Sequence, residues 1–195
     1  QSGSPAINAG VYVGMPFNGN APDIGAFETA GPQTYYVSTT GNDNWPGTLS
    51  QPWASISNGD TRNLLNPGDT VIVQAGSYAV TSGVSLTNRA GSNGNPIIYR
   101  ANGVVIISSS ATSVVTIGTN YTVFDGFQVT GSAHEITINN AVGCEIKNCW
   151  IYGPKAWGAA VAVNSASNLS FHNNVIGPNL TWATEGIDET SSAGG

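Results

Sequence analysis

The sequence predicts an all-β chain wound as a single-stranded parallel β-helix, a β-solenoid of roughly five turns behind an N-terminal extension. Three observations carry that expectation. Segments 124–130 (FDGFQVT), 146–152 (IKNCWIY) and 171–177 (FHNNVIG) align on one another at a step of roughly two dozen residues, the mark of a repeat architecture. Between them lie short alternating runs at 134–138 and 160–163, with no helical period. Strand pairs this short cannot bury a face alone but can do so when each turn stacks on the next.

Alternation fixes which side chains face inward, because neighbours along a strand point to opposite sides. Phe124, Ile146 and Phe171 are expected in one inner column, and Val129, Ile151 and Ile176 in another. Gly126, Asn148 and Asn173 then fall at the bend between the two columns, where glycine and asparagine tolerate a left-handed backbone. Cys144 and Cys149 read as buried small hydrophobes. The extended chain between them sets their Cα atoms beyond the ~7 Å reach of a disulfide.

In chain order, residues 1–33 form a separate unit, rich in turns, with Ile7, Ile24 and Phe27 as apolar anchors and 29–33 as linker. The β-helix domain is expected over 34–195. It begins with a strand at 34–38 and a loop at 40–48 dense in turn formers. Asn42, Asp43 and Asn44 in that loop are donor types that calcium uses, but a turn accounts for them, and no metal or other cofactor is expected. Residues 60–65 suggest a short helix with Asp60 as N-cap. Strands follow at 70–74, 84–86, 97–100, 104–107 and 114–117. At ~4.8 Å per turn the stack from Val71 to Ile176 is about 25 Å tall.

Composition narrows the function classes. Hydrophobic residues make up 40% of the chain, enough for a core, while charged residues make up only 8%. Five basic against eleven acidic residues leave a net charge of −6, so no basic patch exists to neutralise phosphates and a nucleic-acid partner is disfavoured. No run is long enough to span a membrane. A start at Gln1 and a hydroxyl-rich surface fit a processed, secreted chain or a segment of a longer one.

Candidate functional residues follow from the same alternation. Asp125, Lys147 and His172 each follow an inner residue and are expected in one outward column, where a base and a charge partner could abstract a proton. A solvated, charge-paired ladder uses the same residues, and that is the reading preferred. Trp150 and Tyr152 face outward with Trp157 in the loop beyond, an aromatic strip able to stack on sugar rings or to pack under a loop. Asn120, Asn168 and Asn179 head sequons for N-glycosylation.

Residues 35–38 (YYVS), 41–43 (GND), 46–53 (PGTLSQPW), 66–73 (NPGDTVIV) and 75–78 (AGSY) together resemble the opening segment of right-handed parallel β-helix proteins, the pectate-lyase-like superfamily of secreted bacterial proteins. The resemblance covers about 34–178. It implies a right-handed fold and an extracellular or cell-surface location. It does not choose an activity, since members include polysaccharide lyases, hydrolases, adhesins and surface proteins. Residues 4–10 (SPAINAG) and 22–28 (PDIGAFE) resemble the segment that closes the far end of such β-helices, yet here they precede the opening segment. The expected function is therefore a structural module that assembles head to tail with copies of itself, in a filament or tandem array. Ile7, Ile24 and Phe27 would be buried by a neighbouring subunit. The alternatives are a carbohydrate-active β-helix of the lyase kind, using Asp125, Lys147 and His172, and a polysaccharide-binding adhesive module.

Overall fold

The computed structural model describes residue 9, residues 31–153 and 158–177, and the backbone of residues 185–190. The chain divides into two units, Gln1–Gln33 and Thr34–Gly195, and every strand among the described residues belongs to the second. In chain order the strands are β1 (Thr34–Val37), β2 (Thr70–Ala79), β3 (Val84–Leu86), β4 (Ile97–Ser108), β5 (Ser113–Ile117), β6 (Thr122–Asp125) and β7 (Gln128–Thr130). They continue with β8 (His134–Asn139), β9 (Glu145–Lys147), β10 (Trp150–Ile151), β11 (Ala159–Asn164), β12 (Ser170–His172), β13 (Val175–Ile176) and β14 (Glu185–Thr190).

These strands form a nine-stranded and a five-stranded sheet, and neighbouring strands run parallel. The larger sheet is folded into two faces. The fold line passes through Gly103, Gly126, Asn148 and Asn173, whose φ values of 89°, 87°, 54° and 57° turn the chain without a loop. The first face carries β1, the leading halves of β2 and β4, then β6, β9 and β12. The second carries the trailing halves of β2 and β4, then β7, β10 and β13. The third is β3, β5, β8, β11 and β14.

Each face contributes inner columns in strict register. On the first face Tyr35, Val71, Tyr99, Phe124, Ile146 and Phe171 stack. On the second face the column is Tyr78, Ile107, Val129, Ile151 and Ile176. On the third it is Leu86, Ile117, Ile138 and Val163. Phe124 and Phe127 stack across the bend with ring centroids 4.1 Å apart, filling the corner between the first two faces. The expected inner columns are thus the observed ones.

The stack is shorter than expected. From Val71 to Phe171 the first column takes four steps, so this stretch makes about four turns rather than five. The hydrophobic runs 97–100 and 104–107 look like separate strands in the sequence, but both belong to β4, which bends without breaking. β1 adds one further rung beneath Val71.

The opening end of the stack is closed. Trp53 is fully buried, stacks on Tyr35 at 4.6 Å and donates its indole N–H to the carbonyl of Trp45 at 2.9 Å. Ile56 and Leu65 are buried beside it. Between them lies a single helical turn, α1 (Asn58–Thr61), with Ser57 at its N-cap. Asp60 is therefore not the N-cap. It sits inside α1, fully buried, and its carboxylate accepts the backbone N–H groups of Thr87, Asn88 and Arg89. It fastens the cap to the chain leaving β3. No helix among the described residues is long and apolar enough to cross a membrane.

Candidate functional site

The outward column of the first face runs Arg100, Asp125, Lys147, His172 in register, so the structure brings the three expected residues into one row. Their pairing is set by two residues that the sequence reading did not single out. Arg100 Nε donates to Asp125 Oδ2 at 3.1 Å, and Asn148 from the next rung donates to Oδ1 of the same carboxylate at 2.8 Å. Glu145, two residues before Lys147 and hence on the same face, lies between Lys147 and His172. Its Oε2 is 2.9 Å from Lys147 Nζ and its Oε1 is 2.5 Å from His172 Nε2. The hydrogen bond from His172 and then that from Lys147 hold the Glu145 carboxyl below its usual range.

Chemically this row is a neutralised ladder. A lysine that acts as a base must be free to reach its substrate, and Lys147 is instead held by the Glu145 carboxylate 2.9 Å away. Asp125, expected as the charge partner, points its hydrogen-bonding capacity at Arg100 and Asn148. Among the described residues no group of three or more His, Cys, Asp or Glu side chains is arranged to hold a metal ion. Asp43, the one carboxylate in the loop at 40–48, accepts the N–H groups of Ala54 and Ser55 and the Ser55 hydroxyl, which is turn chemistry.

The second face presents a different surface. Trp150 is 40% exposed and Tyr152 half-buried, with ring centroids 4.6 Å apart and planes tilted by 35°. The indole N–H of Trp150 donates to the Gly177 carbonyl at 2.8 Å, which fixes the ring. Below Tyr152 its register column continues through Thr130 and Ser108 to Ala79. A groove of about 310 Å³ opens there, lined by Ala79, Val80, Thr81, Ser108, Ser109 and Ser110. Trp157 lies outside the described residues, as do Ile7, Ile24, Phe27 and Asn179. Asn120 is exposed, but its Oδ1 accepts the N–H of Val142 from the next rung; Asn168 is exposed with φ of 52°.

Three further features bear on chemistry. Cys144 and Cys149 are free and buried, and burial pushes both thiols up, Cys149 to about 11. Glu135 on β8 is fully buried, and neither carboxylate oxygen has a hydrogen-bond partner. Desolvation raises it from 4.5 to about 7, and the nearby backbone N–H dipoles of Ser132, Glu135 and Gly131, none at hydrogen-bonding geometry, offset only part of that. Alternation puts Glu135 opposite Ile136, so the sequence implies a solvated residue; both sides of β8 are in fact buried. The third feature is the exit end of the stack. Phe171 is only partly buried, Val175 is 60% and Ile176 38% exposed, although Phe171 and Ile176 continue inner columns.

The profile of the Pel9A-like, right handed β-helix region matches residues 35–180. Solved structures with a similar fold include a rhamnogalacturonan lyase, with TM-score 0.60 and 21% identity over 72% of this chain and 42% of that one. An alginate lyase from Paenibacillus sp. str. FPU-7 gives 0.56 and 17% over 73% and 44%. The pectate lyase Pel9A gives 0.54 and 20% over 70% and 39%. The chain thus spans less than half the length of each of these enzymes. No curated protein sequence matches it.

Proposed function

The chain belongs to the Pel9A-like right-handed β-helix family, and on that premise we propose that it is a structural β-solenoid module of a secreted or cell-surface protein, joined end to end in a filament or tandem array. One observation carries this reading: the two ends of the stack are unlike. The opening end is sealed by Trp53, Ile56 and Leu65. At the exit end β12 and β13 are the outermost described strands of their faces, Phe171 is only partly buried, and Val175 and Ile176 are exposed. Exposed strand edges above an open apolar core need a further rung or a cap. A sealed opening end cannot stack directly on such a surface, so the joint requires another element.

The segment at 4–28, which resembles a far-end cap, is a candidate for that element. β1 lies five rungs below β12, about 24 Å at ~4.8 Å per rung. The five-residue linker at 29–33 spans at most about 18 Å. Donation to a neighbour is the simpler geometry, and a heterologous contact of that kind propagates instead of closing. In a longer protein the same contact would join consecutive domains. Deleting residues 1–30 should convert assemblies into monomers or amorphous aggregates; a deletion variant that still forms the native assembly would remove the basis of the proposal.

A second reading, a polysaccharide lyase working from the first face, draws on the row Asp125, Lys147, His172 and on the fold likeness to lyases. It requires Lys147 to leave Glu145. Release of unsaturated product from polygalacturonate or alginate, abolished by Lys147→Ala, would favour it over the structural role.

A further inference from the structure

We infer that the outer side of the second face is a glycan-binding platform, and that the glycan it takes is uncharged. The platform is the Trp150–Tyr152 pair together with the groove that continues down the same register column. It is separate from the charged row of the first face and from the inner residues left open at the exit end.

Four observations carry the inference. First, Trp150 is a large apolar ring at 40% exposure whose orientation is fixed by its own hydrogen bond to Gly177, so holding it in place for a ligand costs little further ordering. Second, Tyr152 packs against it with ring centroids 4.6 Å apart and planes tilted by 35°, which braces the indole from one side. Third, the groove beyond offers the hydroxyls of Thr81, Ser108 and Ser110, with Thr130 in register between Ser108 and Tyr152. Alternating flat apolar surface and hydroxyl groups suits a sugar ring, which has an apolar face and a polar rim. The column from Ala79 to Tyr152 covers three rung spacings, about 14 Å, the scale of a short oligosaccharide.

The fourth observation selects the class. None of the described residues on the second face, or in the turns at 80–83, 109–112 and 131–133, carries a charge. A uronate chain brings a carboxylate on every sugar. Each would have to be desolvated without a cation among the described residues of this face to meet it, on a chain whose net charge is already −6. A neutral polysaccharide carries no such cost. The expected ligand therefore differs from those in the names of the pectate and alginate lyases that share the fold.

Affinity electrophoresis tests this with the full chain in native gels containing hydroxyethylcellulose, xyloglucan, galactomannan or polygalacturonate. At least one neutral polysaccharide should slow migration, and polygalacturonate should not. Trp150→Ala should weaken that retardation about tenfold, while Trp150→Phe, which keeps a ring, should retain most of it. Circular dichroism of both variants should match the parent. Retardation by none of the neutral polysaccharides, retardation chiefly by polygalacturonate, or retardation equal in the parent and Trp150→Ala would each overturn the inference. Sedimentation of Trp150→Ala should be unchanged, which keeps the result separate from the assembly proposal.

Discussion

Replacing Glu135 by glutamine should stabilise the protein at neutral pH, and the gain should vanish in acid. The carboxyl is fully buried on β8, with no partner for either oxygen, and desolvation raises it from 4.5 to about 7. A carboxyl raised on folding means that the native state holds a proton the unfolded chain has released. Stability is then highest below about pH 4.5, falls as pH rises toward 7, and levels off above it. The interval from 4.5 to about 7, at about 1.4 kcal/mol per pH unit, corresponds to about 3 kcal/mol as an upper value. Glutamine mimics the protonated carboxyl and cannot ionise. Urea unfolding of parent and Glu135→Gln across pH 4 to 8 (about that range) should give a stability difference near its minimum at the acid end. The difference should grow by up to about 3 kcal/mol toward pH 8. The glutamine amide brings its own unpaired donor, a cost that does not vary with pH, so the slope is the quantity to read. A difference that stays flat across the series, or that grows toward acid, would refute the reasoning and point to a partner for Glu135 in solution.

Other outcomes follow from the same geometry. Ile146→Ala removes a side chain stacked between Phe124 and Phe171 and should cost about 2–5 kcal/mol in chemical unfolding. Asp60→Ala leaves the N–H groups of Thr87, Asn88 and Arg89 without their acceptor and should cost about 3 kcal/mol; limited proteolysis should then cut first within 40–66. Because burial pushes both thiols up, Cys144 and Cys149 should not react with a disulfide reagent at neutral pH until urea unfolds the chain. Polygalacturonate and alginate should yield no unsaturated product with the parent protein, since Lys147 is ion-paired to Glu145.

Much of the fold was legible because a β-helix writes its plan locally. Alternation places Phe124, Ile146 and Phe171 inward, and the bend residues Gly126, Asn148 and Asn173 are types that accept positive φ. The number of turns was harder, because β4 bends at Gly103 without ending, its register with β2 shifting by one residue there, and a bend inside a strand looks like a break in hydrophobicity. Aspartate before a turn usually caps a helix, but the N–H donors that Asp60 serves lie 27 to 29 residues away, beyond any local rule.

The candidate site was legible only in part. The row Asp125, Lys147, His172 followed from equivalent repeat positions. Its partners did not: Arg100 belongs to the preceding rung, where the repeat is not evident in the sequence, and Glu145 occupies the neighbouring outward column. Glu135 shows the limit of alternation itself. Period two says on which side of a sheet a residue lies, but not whether that side is covered.

End-to-end joining through the open exit end is most directly tested by sedimentation velocity of the intact chain over a wide concentration range, beside a Phe171→Asp, Ile176→Asp variant. These two residues continue inner columns but are only partly covered, so a charge there can be solvated in the free subunit. The parent should form species larger than a monomer whose size grows with concentration without settling at a dimer, while the variant should remain folded and monomeric. A parent that stays monomeric throughout, or a variant that assembles as the parent does, would contradict end-to-end joining.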